Sequence, residues 1–179
     1  MIDDVKKYFY DLCKDKHFSW ILHIESVVKY AKQLAQQLDA DEEVVEIAAW
    51  LHDIRKIHLK NTVKNVHHIE GSEVAAKFLK ELGYDSIKIE KIKNCILTHS
   101  SDKNYPPQTK EEKILASADV LSHFDDFPLM VESAYRHCEP SEVNEWLLKK
   151  YARTFDKIMP EAKELAQAKY DSIKLLLSE

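Results

Sequence analysis

Apolar residues recur at intervals of three and four along most of the chain. Ile24, Val27, Val28, Ala31, Leu34, Ala35 and Leu38 form a first stripe, and Val44, Ile47, Ala48 and Leu51 a second. Val74, Ala75, Phe78, Leu79 and Leu82 make a third, Ile89, Ile92 and Ile96 a fourth, and Ile114, Leu115, Ala118 and Leu121 a fifth. That period puts each set on one face of an α-helix, and no two-residue alternation long enough for a strand competes with it. The pattern predicts helices near 3–14, 19–38, 41–54, 70–82, 86–99, 110–124, 127–138, 141–157 and 160–178. Stop and start signals agree. Thr109 with Glu112 reads as a capping box, Asp39 and Asp41 precede the 41–54 helix, and Pro160 suits a first turn. Gly83 ends the helix after Leu82. Residues 56–66 and 100–108, the latter with Pro106–Pro107, read as loops of the kind that shape substrate pockets. The expected class is all-α, in one domain over residues 1–179.

Several polar residues interrupt these stripes on their buried side. His52 continues the Val44–Ala48 row at the next four-residue step, with Asp53 beside it. His23 stands three after Trp20 and four before Val27, Asp119 four after Leu115, and His99 three after Ile96. A histidine–aspartate pair alone says little, since nine histidines in a chain of this composition supply roughly 0.7 such pairs by chance. Position on the stripe is what discriminates. One inward histidine is more often a hydrogen-bonded core residue than a ligand, by about three to one. For His23, His52, Asp53 and Asp119 together the preference reverses, because several buried polar groups on different helices are costly unless they meet. A shared divalent cation satisfies them all. His17, His58, His123 and His137 read instead as helix ends or solvated faces, and Trp20, Trp50 and Trp146 as core or core-edge anchors. Glu25, Glu42, Glu43, Glu46, Glu111 and Glu112 read as solvent faces or first-turn charges that complement the helix dipole.

Composition narrows the function. With 179 residues, 45% hydrophobic and 32% charged, the chain suits one ordinary globular domain. Only two glycines occur, Gly71 and Gly83, so a glycine-rich nucleotide loop is excluded as the main device. A net charge of -5 argues against nonspecific nucleic-acid binding. Cys13, Cys95 and Cys138 are too scattered for a disulfide framework or a zinc knuckle and read as reduced thiols. No basic-apolar leader opens the chain and no apolar run approaches membrane length, so a cytoplasmic protein without membrane contact is expected.

With these residues in place, the chain resembles the HD superfamily of metal-dependent phosphohydrolases. The matching text is His23 in "SWILHIESVVKYAKQLA", His52 and Asp53 in "AAWLHDIRKI", and Asp119 in "ILASADVLSH", in the order H…HD…D. The resemblance implies an HD-type helical bundle around a buried metal, with His23, His52, Asp53 and Asp119 as its ligands. "VHHIEGSEVAAKFL" is similar to the H-x-x-x-G element of members that hold a second metal, which points to His67, with His68 in reserve. "CILTHSS" supplies His99 at the matching later position. A mononuclear pocket in which His67 and His99 contact phosphate is the equal alternative. Arg55 replaces the commoner glycine of the HDIGK form, which bears on the local turn rather than on a ligand. The double-histidine and GYP signature of the cyclic-dinucleotide branch is absent, so that activity is not expected. The motif core covers about 20–124; residues from about 126 carry no family motif and are expected to pack on it and cover the pocket.

The activity implied is hydrolysis of a small phosphate ester or anhydride, a nucleotide first of all, by metal-activated water. Mixed histidine and carboxylate ligation suits Mn, Fe, Co, Ni or Zn, with Mg also possible, in one or two ions. Asp53 would orient the water, His99 or His67 protonate the leaving oxygen if not a ligand, and Lys56 with Arg55 offset phosphate charge. The same basic pair would also suit a helix C-terminus with no substrate at all. Two other readings stay open: a dinuclear-iron HD-type oxygenase, and a non-catalytic metal-binding helical sensor or interaction module. Oligomeric state is not legible.

Overall fold

The computed structural model describes residues 1–16, 18–58, 66–100 and 102–178. The loop expected over 56–66 falls largely on 59–65, outside the described residues, as do His17 and the side chain of His58. Among the described residues every regular element is helical. The chain forms two compact units, Met1–Asp119 and Val120–Glu179.

The first unit is built from α1 (Ile2–Cys13), α2 (Ser19–Leu38), α3 (Glu42–Leu51), α4 (Ile54–His58), α5 (His67–Glu81), α6 (Ser86–Thr98) and the first part of α7 (Lys110–Asp125). Helix α3 lies at its centre. Every residue from Val44 to Leu51 is buried, because α1, α2 and α6 all pack against it. A helix surrounded in this way loses its polar face. Glu46, expected at the surface, is accordingly buried, and its carboxylate meets Lys32 Nζ at 2.8 Å and Lys6 Nζ at 3.5 Å. Helix α5 packs on α6 and on α4.

Local chemistry sets the ends. Asp39 closes α2 in the left-handed region, φ 51°, donating its N–H to the Ala35 carbonyl. Asp41 opens α3 by accepting from the Val44 N–H at 3.2 Å. Gly83 takes φ 71°, and the Tyr84 N–H reaches back to the Leu79 carbonyl at 3.0 Å, as a helix terminating on glycine requires. Asp85 then caps α6 through the Lys88 N–H at 2.9 Å. At α7 the capping box is only half formed. Thr109 Oγ1 accepts from the Glu112 N–H at 3.3 Å, but Glu112 Oε2 accepts from the Gln108 N–H at 2.7 Å rather than from that of Thr109. Glu112 is therefore buried rather than a solvated first-turn charge. The helix expected over 41–54 breaks at His52–Asp53, and a new one starts where the Ile57 N–H bonds the Asp53 carbonyl at 3.2 Å.

The second unit holds the end of α7, α8 (Phe127–Tyr135), α9 (Val143–Asp156) and α10 (Glu164–Ser178), with 3-10 turns at Pro140–Glu142 and Pro160–Ala162. Its interior is aromatic: Phe124 meets Tyr151 at 5.2 Å, and Phe155 stacks on Tyr170 at 4.5 Å. Pro160, expected at the start of the last helix, begins the 3-10 turn that precedes it. No helix among the described residues is long and apolar enough to cross a membrane.

Candidate metal centre

The break between α3 and α4 places His52 and Asp53 in a tight turn at the end of the most buried helix. His52 Nδ1 lies 2.8 Å from the Ala49 carbonyl. A carbonyl can only accept, so in the neutral ring Nδ1 carries the proton and Nε2 keeps its lone pair. His99, the residue just after α6, repeats the arrangement: its Nδ1 lies 2.6 Å from the Ile96 carbonyl. Each histidine thus satisfies a terminal carbonyl of its own helix and turns a lone-pair nitrogen inward. The rings stand 5.0 Å apart.

Both nitrogens face Asp53. His52 Nε2 is 3.8 Å from Asp53 Oδ2, and His99 Nε2 is 3.6 Å from Asp53 Oδ1. From α2, His23 Nε2 approaches Asp53 Oδ2 at 3.8 Å and Asp119 Oδ1 at 3.4 Å. His52 Nε2 is 3.7 Å from the same Asp119 oxygen. Helix α5 adds His67, whose Nε2 is 3.9 Å from Asp53 Oδ1. The two Asp53 oxygens therefore look at different partners: Oδ2 at His23 and His52, Oδ1 at His67 and His99. Among the described residues, two groups have donor atoms that all lie within 4.8 Å of one another, His23 with His52 and Asp119, and His52 with Asp53 and His99. These separations exceed hydrogen bonds and suit a cation held between donors at about 2.0–2.2 Å from each. The decisive observation is His52 Nε2, fully buried and without a hydrogen-bond partner among the described residues. A buried lone pair facing two carboxylates is costly unless a cation accepts it. The residues present fit a divalent ion.

Lys56 supplies permanent positive charge. Its Nζ lies 2.8 Å from Asp53 Oδ1 and 2.9 Å from Oδ2. Burial alone would push the Lys56 pKa down, but Asp53 and Asp119 outweigh it and hold the ammonium above its ordinary value. Burial would likewise raise the Asp53 carboxyl; His52, Lys56 and His99 outweigh it and hold the group well below the usual carboxylate range. Arg55 turns away from this charge and pairs with Glu70 on α5. His68, the reserve ligand, also points elsewhere: its Nε2 lies 3.4 Å from Asp102 Oδ2, and its ring meets Tyr105 at 5.7 Å. Burial, with His99 and Lys56 nearby, holds the His68 pKa below its ordinary value against the opposing pull of Asp102. Nothing in the helical periodicity marks Asp102 or Tyr105, since both lie in the loop after α6. The proline pair that follows Tyr105 was the available signal.

Comparison with known proteins places this geometry in context. The sequence model of the HD domain family matches residues 20–123. A tRNA (cytidine(56)-2'-O)-methyltransferase of Picrophilus torridus is 33% identical over an alignment of 113 residues that covers 59% of this chain. That match spans only 32% of the methyltransferase's own length. Among solved structures, a predicted HD superfamily hydrolase from an uncultured Thermotogales bacterium superposes with a TM-score of 0.70 at 21% identity, covering 98% of this chain and 88% of that one. Bacillus subtilis YpgQ, solved in complex with ADP, gives 0.74 at 18% identity, covering 99% and 94%. At those identities the likeness is one of fold.

Proposed function

The chain belongs to the HD domain family, and on that footing we propose that it is a metal-dependent phosphohydrolase of small phosphate esters or anhydrides, nucleotides foremost. One observation carries the reading: His23, His52 and Asp119 hold donor atoms within 4.8 Å of one another, and Asp53 Oδ2 lies 3.8 Å from both His23 Nε2 and His52 Nε2. HD domains bind divalent metals, and these four residues would hold the ion. His67 and His99, on the far oxygen of Asp53, would either hold a second one or contact phosphate. When bound, the cation supplies Lewis acidity, acidifying a water and polarising a phosphoryl oxygen.

This chain's residues do the rest. Asp53, held ionised by Lys56 and the neighbouring histidines, would orient the attacking water. Lys56, held charged, offsets the negative charge that builds on the phosphoryl oxygens. His67, if not engaged as a ligand, would protonate the leaving oxygen, and His99 would do so only after taking a proton at Nε2. Support for a nucleotide comes from YpgQ, a protein of this fold solved in complex with ADP. Elemental analysis of the purified protein, followed by phosphate release from a panel of nucleotides and sugar phosphates, tests the reading. His52→Ala should lose both bound metal and phosphate release; full activity in that variant overturns it.

The division of the Asp53 oxygens between two histidine sets also admits a second reading, a dinuclear-iron oxygenase. Two irons per chain with oxygen-dependent turnover and no phosphate release would favour that enzyme. Stoichiometric metal with neither activity would favour a binding module.

A further inference from the structure

Residues 102–105, after α6, hold one aromatic ring against His68, the chain neighbour of His67. Asp102 organises it. The Tyr105 N–H bonds the Asp102 carbonyl at 3.1 Å, closing a tight turn, while Asp102 Oδ1 accepts from the Asn104 N–H at 2.9 Å. The other Asp102 oxygen lies 3.4 Å from His68 Nε2 on α5. Tyr105 precedes Pro106–Pro107, and a residue before proline is confined to extended backbone. The backbone that carries the ring is thus restrained by the turn and by the proline. Its ring stands edge-on to His68 at 5.7 Å, His68 meets His67 at 5.3 Å, and His67 meets His99 at 5.5 Å. Two ring contacts therefore link Tyr105 to His67. Unlike His68, which is buried, Tyr105 stays partly exposed.

We infer that Tyr105 is the base-stacking residue of this site: a nucleotide whose phosphate reaches the His67–His99 side of Asp53 lays its base on the Tyr105 ring. The inference rests on the phosphate-binding reading above and adds a specificity determinant to it. A flat π-face stacks on any base, so the residue selects for an aromatic base without selecting which one. Arg55, occupied by Glu70, is not needed for this recognition.

The experiment measures equilibrium binding to the Mn-loaded protein of uncleavable phosphonate isosteres of adenosine 5′-phosphate, uridine 5′-phosphate and ribose 5-phosphate. Wild type should bind the two base-bearing ligands about ten-fold more tightly than the base-free one. Tyr105→Phe should keep that ratio, whereas Tyr105→Leu should collapse it to near one while leaving affinity for the ribose ligand unchanged. The leucine variant retains an apolar cover over His68, so loss of ribose binding as well would assign Tyr105 a merely structural role and overturn the proposal. Absence of base preference in wild type, or its survival in Tyr105→Leu, would also overturn it. Phosphate release from cleavable esters is scored separately. Base preference without hydrolysis would defeat the hydrolase reading and leave Tyr105 standing; hydrolysis without base preference would do the reverse.

Discussion

His52 and His99 occupy the same structural position on two different helices, each giving Nδ1 to the carbonyl three residues back and aiming Nε2 at Asp53. Neither histidine depends on a metal for its orientation. The backbone at each helix end chooses the tautomer, and the tautomer leaves the lone pair where a cation would need it.

That relationship makes the tautomer measurable. Two-bond nitrogen–proton NMR on metal-free protein at mildly alkaline pH should show both rings protonated at Nδ1. Free imidazole side chains favour the opposite form, so finding Nε2–H at either residue would contradict the geometry.

The Asp53–Lys56 pair should divide binding from catalysis. Asp53→Asn keeps the volume but removes the charge between the histidine sets, and should cost both metal retention and phosphate release. Lys56→Met should retain metal by elemental analysis while kcat/KM falls about 10²–10³-fold. Equal metal loss in both variants would mean that Lys56 serves only to hold the carboxylate.

Gly71 faces the turn that carries the histidine–aspartate pair, yet a Cβ there would meet the His52 carbonyl and Arg55 Cβ at 3.6 Å, ordinary contact distances. Because Gly71 lies inside α5, Gly71→Ala should raise stability by about 0.5–1 kcal/mol through helix propensity alone. Thermal denaturation reads the sign. A clear loss would show that the turn and α5 approach more closely than this.

Glu46 should contribute to the acid limb of stability. Burial would raise its carboxyl, but Lys32 and then Lys6 outweigh this and hold it below the ordinary 4.5. A folded value below the unfolded one stabilises above the unfolded pKa, and that contribution is lost as pH falls through the folded value. Glu46→Gln should therefore flatten the decline in urea midpoint between about pH 6 and pH 3. An unchanged slope would show that the pair is energetically silent.

Helical class, most helix positions and the inward histidines and aspartates were legible in the sequence, because a 3.6-residue period survives in the text whatever the tertiary fold. His23, His52, Asp53 and Asp119 stood out as polar groups on apolar stripes. Burial from several sides was not legible: Glu46 and Glu112 look like surface charges until neighbouring helices close over them. Helix ends were less legible as well, since Glu112 could cap either Thr109 or Gln108 and only the loop path decided.

What the sequence determined by itself is which residues share a face of one helix, a matter of local geometry alone. Which faces meet was decided only in three dimensions. Tertiary packing set the two Asp53 oxygens toward different histidine pairs, turned Arg55 to Glu70 and His68 to Asp102, and brought Tyr105 alongside. Those outcomes depend on contacts between residues far apart in the chain, where periodicity carries no information and close packing selects one arrangement.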